Sequence, residues 1–190
     1  MKKITVLILA AVSTVITAKA QFANYDYNSK FTLSLTGGPA IPSGDMVYTG
    51  IHADLAAGYL FTDNLGAMVQ VGGNINSTTR PVGENSVLGE RSVYQYLLGP
   101  YFSIPEGRKI RIELRFLFGI GNLVYSYPTS VNPDPEFGMN LSVGVKYMVT
   151  KNIGLGILYG IAVTDYSSYY GIPKRAIGAA QGGLSISYGF

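Results

Sequence analysis

Arg111, Glu113 and Arg115 occupy every second position of the stretch Ile110 to Gly121, and Lys146 recurs in a later stretch of the same kind. Alternation puts the first three on one face of a strand. A carboxylate between two guanidinium groups, with an ammonium nearby, suits two kinds of work: a neutralising ion-pair network, because a buried charge survives only when paired, or a gated path for ions. We read Asp54, Arg111, Glu113, Arg115 and Lys146 as a structural charge network with His52, Gln70, Gln95 and Gln181 as polar neighbours, and the ion path as the alternative. His52 and Asp54 also share a face, a pairing that acid–base catalysis can use, but no nucleophilic serine can be assigned to them. One histidine and no cysteine argue against a transition-metal site, and no cofactor is expected.

The elements that position these residues follow from apolar periodicity. Eight stretches alternate large apolar residues with small or polar ones: 31–36, 51–61, 65–75, 93–104, 110–121, 137–149, 153–164 and 176–190. The sharpest is Ile110, Ile112, Leu114, Phe116, Phe118 and Ile120 against Arg111, Glu113, Arg115, Leu117, Gly119 and Gly121. Between them, 37–50, 76–90, 122–135 and 165–175 read as long loops, and 62–64, 105–108 and 150–152 as short turns. Long and short connections alternate, so the short turns share one end of the fold and the loops the other. The turns at Thr62-Asp63-Asn64 and Thr150-Lys151-Asn152 repeat one pattern, and Pro100 predicts a bulge in its strand.

The N-terminus reads differently. Lys2 and Lys3 precede an apolar run from Ile4 to Ile16, and Ala18-Lys19-Ala20 is a small-x-small cleavage site, so residues 1–20 form a secretory signal peptide. Residues 21–29 are a short periplasmic leader, and 30–190 the folded domain. Removing Lys2, Lys3 and Lys19 from the 14 basic residues matches them to the 11 acidic ones. The mature chain is formally neutral, which gives no support for nucleic-acid binding by a basic surface.

Which face points inward decides the class. The second face of every stretch is mostly Gly, Ser, Ala, Asn and Gln, too sparse in charge to be a solvated exterior, whereas the first is continuously Leu, Ile, Val, Phe and Tyr. Small residues with a few paired charges suit a crowded lumen, and an apolar exterior suits hydrocarbon. Strands can cross hydrocarbon only as a closed barrel, in which every backbone group is hydrogen-bonded. The expectation is an all-β, eight-stranded antiparallel up-and-down transmembrane β-barrel, whose last strand pairs with its first. Phe31, Tyr59, Phe61, Phe102, Tyr147, Tyr188 and Phe190 fall on the outward parity near the short turns, as an interfacial girdle would.

The signal peptide, eight amphipathic strands, Thr-x-Asn turns and a last strand carrying Tyr188 and Phe190 resemble the small eight-stranded outer-membrane β-barrel family, with an OmpA-like barrel domain, over Lys30 to Phe190. The resemblance implies export to the cell outer membrane of a Gram-negative cell and contact with outer-membrane lipid and lipopolysaccharide. It also implies insertion by the barrel assembly machinery, with Tyr188 and Phe190 as the assembly signal. No residue follows Phe190, so a peptidoglycan-binding domain is not expected. Some barrels of this size modify lipid A with a rim histidine, which makes His52 the candidate for a less favoured enzymatic reading. The expected role is structural or surface-interaction, without catalysis, and porin-like passage of small solutes or ions is the alternative. Tyr125, Tyr127, Tyr166, Tyr169 and Tyr170 lie in the long loops, where an extracellular ligand would bind.

Overall fold

The computed structural model describes residues 30–43, 47–82, 85–106, 109–126, 134–166 and 175–190. The signal peptide 1–20, the leader 21–29 and the loop residues Tyr127, Tyr169 and Tyr170 lie outside them. Eight strands run in order: β1 (Phe31–Pro42), β2 (Gly50–Leu60), β3 (Leu65–Val82), β4 (Asn85–Glu106), β5 (Ile110–Tyr125), β6 (Glu136–Met148), β7 (Ile153–Tyr166) and β8 (Arg175–Gly189). Each pairs antiparallel with its sequence neighbours, and β8 returns to β1, with Leu33 opposite Tyr188 and Leu35 opposite Ile186, so the sheet is a closed barrel. The expected architecture is the observed one. Closure matters physically because it removes both sheet edges.

Two-residue periodicity translates directly into two surfaces. Leu184 and Ile186 are 75% and 50% exposed while Ser185 and Ser187 between them are 5% exposed. β6 alternates exposed and buried from Phe137 to Met148 in the same way. The exterior belt is therefore Leu, Ile, Val and aromatic side chains, and the interior combines small, polar and charged residues with a set of large apolar ones. Near the short turns the outward aromatics touch: Phe31 and Phe190 at 5.4 Å between ring centroids, Tyr188 and Phe190 at 4.8 Å, and Tyr59 and Phe61 at 5.7 Å.

Two short turns repeat one hydrogen-bond scheme. Thr62 Oγ1 accepts from the amides of Asn64 (3.4 Å) and Leu65 (3.0 Å), and Thr150 Oγ1 from those of Asn152 (3.2 Å) and Ile153 (2.9 Å). The threonine hydroxyl thus holds amides that the turn leaves without a ladder partner.

Three sequence expectations are corrected. β1 does not end at Thr36 but continues through Gly37-Gly38-Pro39 to Pro42, because the seam with β8 needs residues without side chains there. An added Cβ on Gly38 would run into Gly182 O, and one on Gly183 into Gly37 O. Residues 76–90 are not a loop: β3 and β4 stay paired from Asn76 opposite Arg91 to Val82 opposite Asn85. Pro100 makes no bulge. Pairing of β4 with β5 pauses after Leu98 opposite Phe118 and resumes at Tyr101 opposite Arg115, three residues on along both strands, so the register is kept.

Candidate functional site

The lumen is built from two unlike walls. β6, β7, β8 and β1 turn small residues inward, among them Ser34, Thr36, Ser142, Gly156, Gly160, Ser185 and Ser187. β2 to β5 supply bulk: Leu60, Met68, Leu97, Tyr101, Leu117 and Ala56 form one buried cluster at mid-height. Large side chains from one wall reach across to the thin one, which is how an eight-stranded barrel fills its interior.

Glu113 is the hub of the charged part. It lies on β5 and is 3% exposed. Oε1 accepts from the Tyr101 hydroxyl (2.8 Å) and from Lys146 Nζ, while Oε2 accepts from Arg115 Nη2 (3.1 Å). Arg115 is wholly buried and also donates to Ser34 Oγ on the opposite wall (3.3 Å). Lys146, opposite Gly156 on β7, reaches Glu113 from β6 with its stem passing over Gly154, where a Cβ would come within 2.6 Å of Lys146 Cδ. Of the five residues expected to form a charge network, Glu113, Arg115 and Lys146 are in direct contact. Arg111 lies toward the short-turn mouth with Nη1 3.4 Å from Ser103 Oγ. Asp54 sits higher, 3.7 Å from His52 Nε2.

His52 is 4% exposed, faces the lumen, and has Nδ1 3.2 Å from Pro39 O. Higher still, Gln95 donates to Val163 O (3.0 Å) and Thr164 Oγ1 (2.9 Å), and Asn140 to Gln181 Oε1 (3.3 Å). Sequence reasoning missed three members of this interior. Tyr101 was legible as inward but not as a carboxylate donor. Asn76, which holds Ala40 O (3.3 Å) and Tyr48 O (3.0 Å), sits in the stretch read as loop. Arg91, 3% exposed, shares parity with Val93 and Gln95, and that parity was the signal available for it.

Among the described residues the interior has a cavity of about 20 Å³ at the short-turn mouth beside Glu113 and Lys146, and one of about 10 Å³ near Gln95 and Thr164. A concavity of about 250 Å³ is formed mainly by outward-facing residues, over Gly73 between Ile51, Ile75, Tyr94 and Tyr96. Among the described residues no group of three or more His, Cys, Asp or Glu side chains is placed to hold a metal ion.

The sequence profile of the family described as "Outer membrane protein beta-barrel domain" matches residues 7–190. The chain belongs to this family. Its apolar exterior is thereby the surface that meets hydrocarbon, and its outward aromatics near the short turns lie where an interfacial girdle belongs. The barrel is similar to the crystal structure of Neisserial surface protein A, with a TM-score of 0.62 and 14% identity over 85% of this chain and 98% of that one. It is also similar to Ail, the attachment invasion locus protein of Yersinia pestis. The complex of Ail with the heparin analogue sucrose octasulfate gives a TM-score of 0.55 and 14% identity over 84% of this chain and 97% of that one. A second Ail structure gives 0.51 and 18% over the same shares. Identities this low establish a shared fold and nothing finer. No curated protein matches the sequence.

Proposed function

We propose that this outer-membrane barrel is a non-enzymatic surface protein, a filled anchor that presents the β3–β4 hairpin outside the cell. The observation that carries the reading is the continuation of that hairpin past the apolar belt. Ile75 is the last large apolar outward residue of β3, and seven further pairs follow, from Asn76 opposite Arg91 to Val82 opposite Asn85. At the rise of an extended strand this ribbon stands roughly 20 Å beyond the belt. The returning first loop braces it: Val47 bridges to Thr78, and the Tyr48 amide donates to Ser77 O (2.9 Å). A ribbon held from two sides is a preorganised contact surface, which reduces the entropy lost on binding.

The lumen supports an anchor rather than a conduit. Arg115, Tyr101, Met68 and Leu117 are each at most 1% exposed and fill its middle. Both nitrogens of His52 face groups inside the lumen, Pro39 O and Asp54, which favours a structural role over lipid A chemistry. In this reading the signal peptide exports the chain, the barrel assembly machinery inserts it through Tyr188 and Phe190, and its outer face contacts lipopolysaccharide. The network of Asp54, Arg111, Glu113, Arg115 and Lys146 serves to hold the strands around a polar core, without cofactor or catalysis.

The ligand-bound Ail structure makes sulfated glycan a sensible first probe. Cells displaying this barrel should bind heparin-coated surfaces more than cells without it. Replacing residues 78–89 by a short turn should remove that gain while the barrel still folds. Unchanged binding by the shortened barrel would sink the proposal. Conductance steps in planar bilayers, lost in Arg115→Ala, would establish passage instead.

A further inference from the structure

Three neighbouring outward positions of the barrel wall carry almost no side chain. Gly37 on β1 stands opposite Ala53 on β2, and Ala53 stands opposite Gly73 on β3. The row is closed at one end by Leu184 on β8, opposite Gly37, and at the other by Tyr94 on β4, opposite Gly73. Two residues away along each strand, large outward side chains return in register. Pro39, Ile51 and Ile75 form a ridge on the long-loop side of the row, and Leu35, Leu55 and Val71 form one on the short-turn side. Between them lies a furrow one residue wide, crossing three strands and therefore roughly 14 Å long at the usual strand spacing. The concavity over Gly73 is its β3 end.

The two glycines of the floor are bare for different reasons. A Cβ on Gly73 would lie 2.0 Å from Val93 O, so the backbone of β4 excludes a side chain there. A Cβ on Gly37 would have His52 O as its nearest neighbour, at 3.5 Å, an ordinary contact. Packing within the wall thus accounts for Gly73 and leaves Gly37 to be accounted for by what lies on the furrow. Glycine inside a strand weakens it and often marks the close approach of another molecule.

The surroundings select the occupant. The chain is an outer-membrane barrel and the ridges belong to its apolar exterior, so the furrow opens into hydrocarbon. Water finds no polar partner on a floor of Gly and Ala whose backbone groups are paired in the ladders. A second barrel is itself convex and would rest on the ridges. A polymethylene chain is as narrow as the floor and touches it and both ridges along its length, gaining on three sides the dispersion contacts that a flat wall offers on one. We propose that this furrow is a binding groove for one straight acyl chain of a lipid of the surrounding bilayer, lying over Gly37, Ala53 and Gly73. The groove holds that chain in place while chains elsewhere around the barrel exchange freely. This site is independent of the role assigned to the ribbon.

The test uses the full-length barrel in dimyristoyl phosphatidylcholine vesicles containing a phosphatidylcholine with a diazirine midway along one chain. After irradiation, adducts mapped by mass spectrometry should be several-fold denser on Leu35, Ile51, Leu55 and Ile75 than on Leu141 and Ile161, outward residues of the far wall. Gly37→Leu and Ala53→Leu fill the floor with apolar side chains that the wall can accommodate. Each should lower the enrichment, and the double variant should abolish it while the compact form on a detergent gel is retained. Even labelling around the wild-type barrel overturns the groove, whatever the variants do. So does enrichment that survives the double substitution, or ready disulfide dimerisation of Ala53→Cys in dilute vesicles, which would make a second copy the occupant.

Discussion

Glu113 and Arg115, two residues apart on β5, form an ion pair of 3.1 Å with both side chains buried, and Lys146 closes on the other oxygen of the same carboxylate. Removing the carboxylate leaves two buried cations facing each other. Glu113→Ala is expected to cost about 3–5 kcal/mol of unfolding free energy, measured by urea titration in detergent or vesicles. The triple variant Glu113→Leu/Arg115→Met/Lys146→Met should recover most of it, because apolar groups of similar volume need no partners. A loss below about 1 kcal/mol in the single variant would show the charges to be solvated, against this geometry.

The two surfaces of the barrel should respond oppositely to charge. Val143 is 46% exposed and faces outward in the middle of the apolar row of β6. In water Val143→Lys would shift stability by no more than about 0.5 kcal/mol. In hydrocarbon it should cost about 2–4 kcal/mol near the midplane. Leu117, wholly buried in the lumen, should lose about 2–5 kcal/mol on substitution by alanine through the cavity left behind. Neutral behaviour of Val143→Lys in vesicles would place that face outside the membrane.

The repeated threonine turns offer a cleaner measurement. Thr62→Val and Thr150→Val each remove an acceptor for two turn amides and should cost about 1 kcal/mol apiece. They lie on separate hairpins without shared partners, so the double variant should show the sum. Thr→Ser at either site should retain most of the stability. A loss in serine with stability kept in valine would mean that the methyl group, not the hydroxyl, matters.

Closure of β1 on β8 should be the step most sensitive to mutation. Gly183→Val places atoms where Gly37 O lies, and Phe190→Ala removes the ring packed on Phe31 and Tyr188. Both variants should accumulate less of the compact form that runs differently from boiled protein on a detergent gel. Phe190→Ala should slow assembly more than it changes the final stability. Normal yields of compact Gly183→Val would show that the seam tolerates a side chain and that the β1–β8 register can shift.

Much of this protein was legible in its residues because lipid and lumen impose opposite demands on alternate positions. Ile110 to Gly121 and Leu184 to Phe190 declare their two faces without any knowledge of their neighbours. Where water replaces lipid, that demand ceases. Residues 76–90 therefore carry no apolar alternation and read as loop, although β3 and β4 remain paired there. Gly37, Gly38 and Pro39 read as the start of a long loop for a related reason: local composition cannot reveal that a strand closing a barrel needs bare backbone at Gly38 to approach β8.

Strand number, parity, short-turn chemistry and the inward placement of Asp54, Arg111, Glu113, Arg115 and Lys146 were determined by the sequence alone, since each follows from period and residue type. Only the tertiary structure decided which of those charges meet. Contacts across a lumen depend on strand stagger and on which wall is thin, and neither is written in any single strand. Hence Lys146 reaches Glu113 past Gly154 and Arg115 reaches Ser34 across the barrel, while Asp54 stays beside His52 and Arg111 turns to the mouth.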